Sequence, residues 1–251
     1  MLFQRFRHLD WILLLATIPV IGAGLVSMYS FVGVNNYFEK QLVWVGVAFA
    51  VAIGLSLLDL RLLRKTHTIL SLFLSFCALL LLLFFVGSVF KGARGWFDLG
   101  FFAIQPADPM KLILILVLAK YFSRRHIEIA HYKHILVSGM YALIPTLLVL
   151  IQPDFGSAVI LFTIWFGMTI VSGISKKHLL IVFSIGALAA VLLWSFVLHP
   201  YQQERIKTFL HPLTDIRGAG YNAYQSTIAV GSGEIFGKGI GYGTQSRLKF
   251  L

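Results

Sequence analysis

Long apolar runs separated by short polar segments dominate the pattern of the chain. A helix needs about 20 mostly apolar residues to cross the hydrocarbon core of a bilayer, and its backbone polar groups must be hydrogen bonded within the helix. Strands of a membrane barrel would alternate apolar and polar side chains, whereas residues 79–86 are apolar without interruption. The pattern therefore predicts seven membrane-spanning helices, over residues 11–31, 41–58, 69–90, 109–122, 135–151, 155–172 and 179–198.

Composition narrows the class of protein. The 251 residues are 58% hydrophobic and only 12% charged, with a mean hydropathy of +0.85, whereas an ordinary soluble domain is about a quarter charged. These values exclude a disordered chain, a secreted disulfide scaffold and an ordinary soluble enzyme. The single cysteine, Cys77, can form no internal disulfide. The sequence thus predicts an all-α protein, a polytopic bundle of transmembrane helices.

The basic residues indicate an orientation. The chain has 21 Lys and Arg against 10 Asp and Glu, a formal net charge of +11. Eleven basic residues fall in the segments on one side of the predicted helices, four fall on the other side, and six follow the last helix. Because cytoplasmic loops are enriched in Lys and Arg, we expect the N-terminus in the cytoplasm and the protein in a bacterial inner membrane. The positive charge is then a topology signal, and no nucleic acid is expected as a partner.

Seven spans that start inside put residues 199–251 on the outer face, as a long extracytoplasmic loop. We therefore divide the chain into a transmembrane part, residues 1–198, and this loop, residues 199–251. In the loop, Arg205 and Lys207 could contact an anionic lipid headgroup or simply lie in solvent. Its many glycines either give the backbone room to turn or expose amides to a phosphate or a sugar.

The polar segment before the fourth predicted helix holds candidate chemistry. Asp108 followed by a proline is a good helix start, which predicts Asp108 as an N-cap and Lys111 as a side chain reaching the headgroups. The alternative is a charged pair of Asp108 and Lys111, three residues apart on one helix face, at the mouth of a cavity. Trp96 is either an interfacial aromatic residue or a platform for a ligand, and Arg94 could hold a phosphate.

Two further segments carry polar residues of interest. Asp154, in the QPDFGSA segment after the fifth predicted helix, either caps the next helix or faces an internal cavity as a carboxylate. His126, His131 and His134 lie in a basic cytoplasmic loop, with Glu128 as the only nearby carboxylate. We expect these histidines to be solvated and predict no metal site.

Three segments together resemble the SEDS family of shape, elongation, division and sporulation proteins, the RodA and FtsW glycosyltransferases. They are residues 91–111, the QPDFG motif, and the blocks GYN, QS, IAVGSG and GKGIGYGTQS of the glycine-rich tail. The GTQS end, which includes Gln245 and Ser246, resembles the RodA branch. The resemblance implies an integral inner-membrane protein with ten helices. It also implies polymerisation of lipid II into glycan strands for cell elongation and shape, beside a class B penicillin-binding transpeptidase.

Two segments depart from the family pattern. The family usually has Gln-Pro-Ser-Glu before a lysine, whereas residues 105–108 read Gln-Pro-Ala-Asp before Lys111, so the acid is shorter by one methylene. The family often has arginine before the tryptophan of this segment. Here Gly95 precedes Trp96, and Arg94 lies one step earlier.

The end of the chain also differs. The family continues from a pair like Phe250 and Leu251 into Pro-Glu and then His-Thr-Asp-Phe, whose aspartate is usually assigned to catalysis. The resemblance therefore implies that the chain is C-terminally truncated and that no catalytic residue lies before Leu251. An inactive fragment is one interpretation of such a chain.

The resemblance also implies a mechanism for an intact relative. The acceptor hydroxyl displaces the diphosphate at the anomeric carbon of the donor with inversion, which requires a carboxylate base and positive charge on the leaving group. Asp108 would orient Lys111, and Asp154 would line the cavity. A divalent cation could assist the leaving group, although no residues specify its ligands. The candidate partners of the diphosphate are Arg94, Lys111, Arg205 and Lys207.

Two other classes of function stay open. A transporter or flippase of a lipid-linked precursor would also place charged side chains along its substrate path, but no inverted pair of broken helices is evident. A non-catalytic membrane scaffold for a transpeptidase is the second alternative. The small residues within 22–27 of the first helix could pack against a partner helix.

Overall fold

Helices make up most of the structure, a computed structural model that describes residues 10–29, 37–90, 93–100, 102–124, 132–173, 175–198, 200–213, 215–218, 220–235, 237–239 and 242–243. Each of the seven predicted apolar runs contains a helix. The last of these helices continues into a short π-helical segment, Leu193–Val197. The seven helices are α1 (Trp11–Tyr29), α2 (Tyr37–Leu57), α3 (Thr66–Val86), α4 (Ala107–Ser123), α5 (Tyr132–Ile151), α6 (Phe155–Val171) and α7 (Lys176–Leu192).

Helix length and composition separate these seven into two groups. Within the described part of the chain, five helices, α1, α2, α3, α5 and α7, are long and apolar enough to cross a membrane. Helices α4 and α6 have 17 residues each, which is about 26 Å at about 1.5 Å per residue, slightly less than a hydrocarbon core of about 30 Å. Large apolar side chains such as Phe85 and Val171 face outward. The architecture is that of a multi-pass helical membrane protein, as predicted.

A small antiparallel sheet lies between α3 and α4, where the apolar pattern predicts helix as far as residue 90. Its strands are β1 (Ser88–Phe90), β2 (Ala93–Asp98) and β3 (Ala103–Ile104), in the order β1-β2-β3. Helix α3 ends at Val86 because Gly87 adopts an extended backbone and its N–H bonds to the Leu83 carbonyl at 2.9 Å. A Cβ at Gly87 would clash with that carbonyl oxygen and lie 3.0 Å from Arg94 Cγ. Close packing of β2 on the helix end therefore requires glycine here.

The buried core lies in one compact unit, residues 60–189. Met110, Leu114 and Leu118 of α4 are fully buried, as are Leu80 and Leu83 of α3. Their spacing of four residues on α4 places them on one helix face. That face holds α4 against its neighbours, so the position of its polar N-terminal turn is fixed by packing further along the helix.

A second unit comprises residues 1–59 and 190–251. In it, α1 leads into α2, and Tyr29 and Phe38 contact each other edge to face with ring centroids 5.3 Å apart. Large apolar side chains on α1 and α2 are widely exposed, among them Ile12 and Val20. Such a surface is expected for helices that face lipid.

The segment predicted as a long loop, residues 199–251, contains two helices. They are α8 (Pro200–Leu210) and α9 (Tyr221–Gly233). Gly231 and Gly233, two of the many glycines of this segment, lie in the last turns of α9. Gly237 and Gly239 follow with φ of +76° and +89°, the left-handed conformation that glycine adopts readily. Residues 244–251, with the GTQS motif residues Gln245 and Ser246, lie outside the described residues.

Candidate functional site

Asp108 and Lys111 form a charged pair in the first two turns of α4. Asp108 Oδ1 lies 2.7 Å from Lys111 Nζ, and the two residues are three apart, as the sequence predicts for a shared helix face. The Lys111 side chain is 22% exposed and the Asp108 side chain 59% exposed. The pair is therefore partly buried on the lysine side and open on the carboxylate side.

The start of α4 differs from the sequence prediction. Pro106, and not Asp108, occupies the N-cap position, and the helix begins at Ala107. The backbone N–H of Asp108 donates to the Gln105 carbonyl at 3.1 Å, and that of Met110 donates to the Pro106 carbonyl at 3.2 Å. Asp108 lies inside the first turn, where a carboxylate is still favoured by the helix dipole, and its side chain bonds to Lys111 instead of capping.

Asp154 caps α6, as one of the two sequence interpretations predicts. Its Oδ1 accepts a hydrogen bond from the backbone N–H of Ser157 at 3.1 Å, which is the usual contact of an N-cap side chain. Its Oδ2 accepts a second bond from Gln105 Nε2 at 3.0 Å. The same carboxylate thus connects the start of α6 with the segment that leads into α4.

Gln152 joins the turn before α6 to α3 and β2 by hydrogen bonds. Its side chain is 2% exposed, and Nε2 donates to the Leu80 carbonyl at 2.7 Å. Its own carbonyl accepts from the backbone N–H of Arg94 at 3.1 Å. Sequence analysis did not single out Gln152 or Gln105. Each stands before a proline, and each begins a segment compared with the family pattern, QPDFG for Gln152 and Gln-Pro-Ala-Asp for Gln105.

Arg94 and Trp96 lie on β2, two residues apart and thus on the same face of the strand. The Arg94 side chain is exposed, and its Nη1 donates to the Phe84 carbonyl at 3.1 Å, one of the last carbonyls that a helix cannot satisfy by itself. Trp96 is half-buried, and its carbonyl accepts from Ser88 Oγ at 3.0 Å. Arg94 therefore has a structural contact in addition to its charge, and phosphate binding by Arg94 stays a prediction.

Arg205 and Lys207 belong to the second unit. Both are exposed on α8, and Lys207 Nζ is 3.9 Å from Glu204 Oε2. An exposed pair at this distance contributes little to stability. Their proposed contact with a diphosphate stays a prediction.

His134 corrects one sequence expectation. We expected it to be solvated, but it is 6% exposed, and Nδ1 lies 2.9 Å from the Tyr121 hydroxyl. It is buried because it begins a face of α5 that continues through Ser138, which bonds to Trp165 Nε1 at 3.1 Å. His126 and His131 lie outside the described residues. Across the part of the chain that the structure describes, no group of three or more His, Cys, Asp or Glu side chains could hold a metal ion.

Lys111 and the exposed Arg94 are the predicted contacts of an anionic ligand at this end of residues 60–189. A lysine ammonium carries three N–H donors, so Lys111 retains donors beyond the bond to Asp108. Bonds between a charged donor and a phosphate oxygen are shorter and stronger than neutral ones. The hydrogen bonds of Gln105, Gln152 and Asp154 hold the surrounding turns in one arrangement. They do not use the N–H donors of the Lys111 ammonium.

A family match covers almost the whole chain. The FtsW/RodA/SpoVE model, described as a cell cycle protein, matches residues 6–251. Among curated proteins, the chain is similar to the peptidoglycan glycosyltransferase MrdB of Escherichia coli K12, with 36% identity over 165 residues. That alignment covers 66% of this chain and 44% of MrdB, so the chain spans less than half the length of this curated relative.

Two solved structures share the fold. One comes from a study of structural coordination of polymerization and crosslinking by a peptidoglycan synthase complex. It has a TM-score of 0.71 and 31% identity, and the match covers 88% of this chain and 65% of that chain. The other is a mutant of the rod shape determining protein RodA of Thermus thermophilus. It has a TM-score of 0.62 and 31% identity, over 72% of this chain and 59% of that chain.

Proposed function

Since the chain belongs to the FtsW/RodA/SpoVE family, we propose that it is a peptidoglycan glycosyltransferase that polymerises lipid II into glycan strands during cell elongation and shape maintenance. The name of the relative MrdB supports the activity. Within the structure, the charged pair of Asp108 and Lys111 supports a site for the diphosphate of a lipid-linked sugar. Family membership is the single observation that carries the proposal, and the pair is the structural feature that locates the site.

The proposed reaction is a displacement at the anomeric carbon of the donor sugar. The acceptor hydroxyl oxygen forms a bond to that carbon while the bond from the carbon to the diphosphate oxygen breaks. A carboxylate base takes the hydroxyl proton, and negative charge develops on the leaving diphosphate. Lys111 stabilises that charge, and Asp108 holds the lysine side chain in position.

Location and orientation belong to the same proposal. We place the protein in the bacterial inner membrane with its N-terminus in the cytoplasm, because the basic residues concentrate on one side of the helices. The start of α4 then faces outward, and so does the segment 199–251. As in the initial division of the sequence, residues 1–198 are the transmembrane part.

The proposed partner is a class B penicillin-binding transpeptidase. Support comes from the similar chain in the peptidoglycan synthase complex, a complex that couples polymerization with crosslinking. A transpeptidase beside the polymerase would crosslink strands as they emerge. The partner and the preference for the RodA branch follow from family resemblance.

Substitution of Lys111 tests the proposed function. The protein, expressed from its complete gene and reconstituted in vesicles, is given labelled lipid II, and the products are separated on a gel. We expect Lys111→Ala to reduce polymer at least a hundredfold, because loss of one charge-stabilising group in a reaction site costs about that much. Membrane insertion should be unchanged.

Lys177→Ala is the matched control, because Lys177 is an exposed lysine at the start of α7. It should leave the polymer yield unchanged. Near-normal polymer from Lys111→Ala would refute the role of Lys111. A wild-type protein that moves lipid II across vesicles without polymerising it would favour the transporter alternative.

A further inference from the structure

The two oxygens of the Asp154 carboxylate have different partners on different elements. Oδ1 accepts from the backbone N–H of Ser157 and so fixes the first turn of α6. Oδ2 accepts from Gln105 Nε2 at 3.0 Å, across 49 residues of sequence. Each oxygen is thus already bonded to protein, which is the arrangement of a structural carboxylate more than of a ligand for substrate.

Helix α4 lacks a cap of its own. A proline occupies its N-cap position, and a proline side chain has no oxygen that could accept from the first backbone N–H groups. The main-chain carbonyl of Gln105, the residue before it, accepts from the backbone N–H of Asp108. The amide of Gln105 is half-buried and donates to Asp154.

A continuous set of hydrogen bonds leads from Asp154 to Lys111. Asp154 binds the Gln105 side chain, and the Gln105 carbonyl accepts from the backbone N–H of Asp108 at 3.1 Å. The Asp108 carboxylate then holds Lys111 Nζ at 2.7 Å. A shift of Gln105 would therefore move the backbone that carries the charged pair.

Neighbouring elements hold the Gln105–Asp154 hydrogen bond in place. A Cβ at Gly95 would lie 3.8 Å from Gln105 Nε2 and 4.0 Å from Asp154 Oδ2, so β2 packs directly on the Gln105–Asp154 bond. Gln152 anchors the turn before Asp154 to α3 through the Leu80 carbonyl. The Asp154 carboxylate therefore lies between the turn that Gln152 anchors and strand β2.

From these contacts we propose that Asp154 is a positioning residue, which acts through Gln105 to set the N-terminal turn of α4 and with it Lys111. It does not bind substrate through its own charge. The inference rests on the proposed function, in which Lys111 faces the diphosphate, and it assigns Gln105 a part in that site.

Exchange of the two side chains tests the proposal. Gln105→Glu places two carboxylates against each other and should lower turnover about tenfold to a hundredfold, since displacement of a site by about 1 Å can cost that much.

The double variant Gln105→Glu with Asp154→Asn restores one carboxylate and one amide at 3.0 Å, and asparagine is also a good N-cap. Turnover should return to within about threefold of wild type, with the change in kcat and little change in KM for lipid II. Thr163→Ala, at an exposed position of α6, is the control and should behave as wild type.

If Asp154 contacts substrate through its charge, the double variant stays as inactive as Gln105→Glu, and the proposal is overturned. A second readout does not depend on activity, namely the rate at which an amine reagent acetylates Lys111, measured by peptide mass spectrometry. That rate should rise severalfold in Gln105→Glu and return in the double variant, whereas an unchanged rate in Gln105→Glu contradicts the positioning role. If wild type makes no polymer, the proposed function fails, and the acetylation rates still decide whether Asp154 positions Lys111.

Discussion

Single side chains in residues 60–189 make hydrogen bonds that join distant parts of the sequence. Gln105 and Asp154 are 49 residues apart, and Gln152 and Leu80 are 72 apart. The sequence drew attention to Asp154 because an acid between two apolar runs is unusual. The family motifs include both glutamines, but a motif does not reveal the hydrogen-bond partner of a glutamine, which is visible only in the fold.

The prediction of Asp108 as the N-cap of α4 was wrong for a reason that also concerns single residues. An Asp-Pro pair is a good helix start, but a proline stands two residues before Asp108 as well, and the helix begins after that earlier one. Asp108 is then freed from capping and pairs with Lys111. The ion pair itself is confirmed, its place at the mouth of a cavity stays a prediction, and the predicted cap is wrong.

Gln152→Ala should destabilise the protein. The substitution removes a buried bond of 2.7 Å and leaves the Leu80 carbonyl without its side-chain donor, which costs about 1–3 kcal/mol. We expect a lower midpoint of thermal unfolding in detergent. Ser71→Ala, which removes a hydroxyl that bonds to the Thr68 carbonyl at an exposed position of the same helix α3, is the control and should shift the midpoint little. Equal shifts in the two variants would contradict the role of Gln152.

At the scale of elements, the apolar pattern located the helices and missed the strands. Seven runs of apolar residues are long enough to identify a helix in lipid, since no other open structure satisfies the backbone there. The strands β1 to β3 are two to six residues long, too short for a periodic signal. The end of α3 was also misplaced, because residues 88–90 are no less apolar than a helix end and only the packing at Gly87 separates them.

Gly87→Ala tests how the sheet is joined to α3. The added Cβ would clash with the Leu83 carbonyl oxygen and crowd the Arg94 side chain, so the backbone at the end of α3 must shift. We expect a destabilised protein with less polymerising activity. Gly54→Ala is the matched control, because nothing lies within 4 Å of a Cβ at that position and alanine favours helix. A wild-type unfolding midpoint for Gly87→Ala would show that the junction tolerates the methyl group.

At the scale of the whole molecule, composition and charge predicted the class of protein, and the family match confirms the resemblance drawn from three motifs. Hydropathy alone could identify a polytopic helical protein but not its reaction, because many transporters and enzymes share that composition. The three sequence motifs indicated the family to which the chain belongs. The arrangement of Lys111, Asp108 and the turns around them required the fold, since these side chains are assembled from the starts of two helices and one strand.

The most direct test of the central claim is protection of Lys111 by lipid II. Right-side-out membrane vesicles that contain the protein are treated with a membrane-impermeant amine reagent, with and without added lipid II, and modified lysines are read by peptide mass spectrometry. The account predicts that Lys111 reacts in intact vesicles, that lipid II slows this reaction severalfold, and that Lys177 reacts only after permeabilisation. Reaction of Lys111 only after permeabilisation, or at a rate indifferent to lipid II, would contradict an outward-facing diphosphate site at the start of α4.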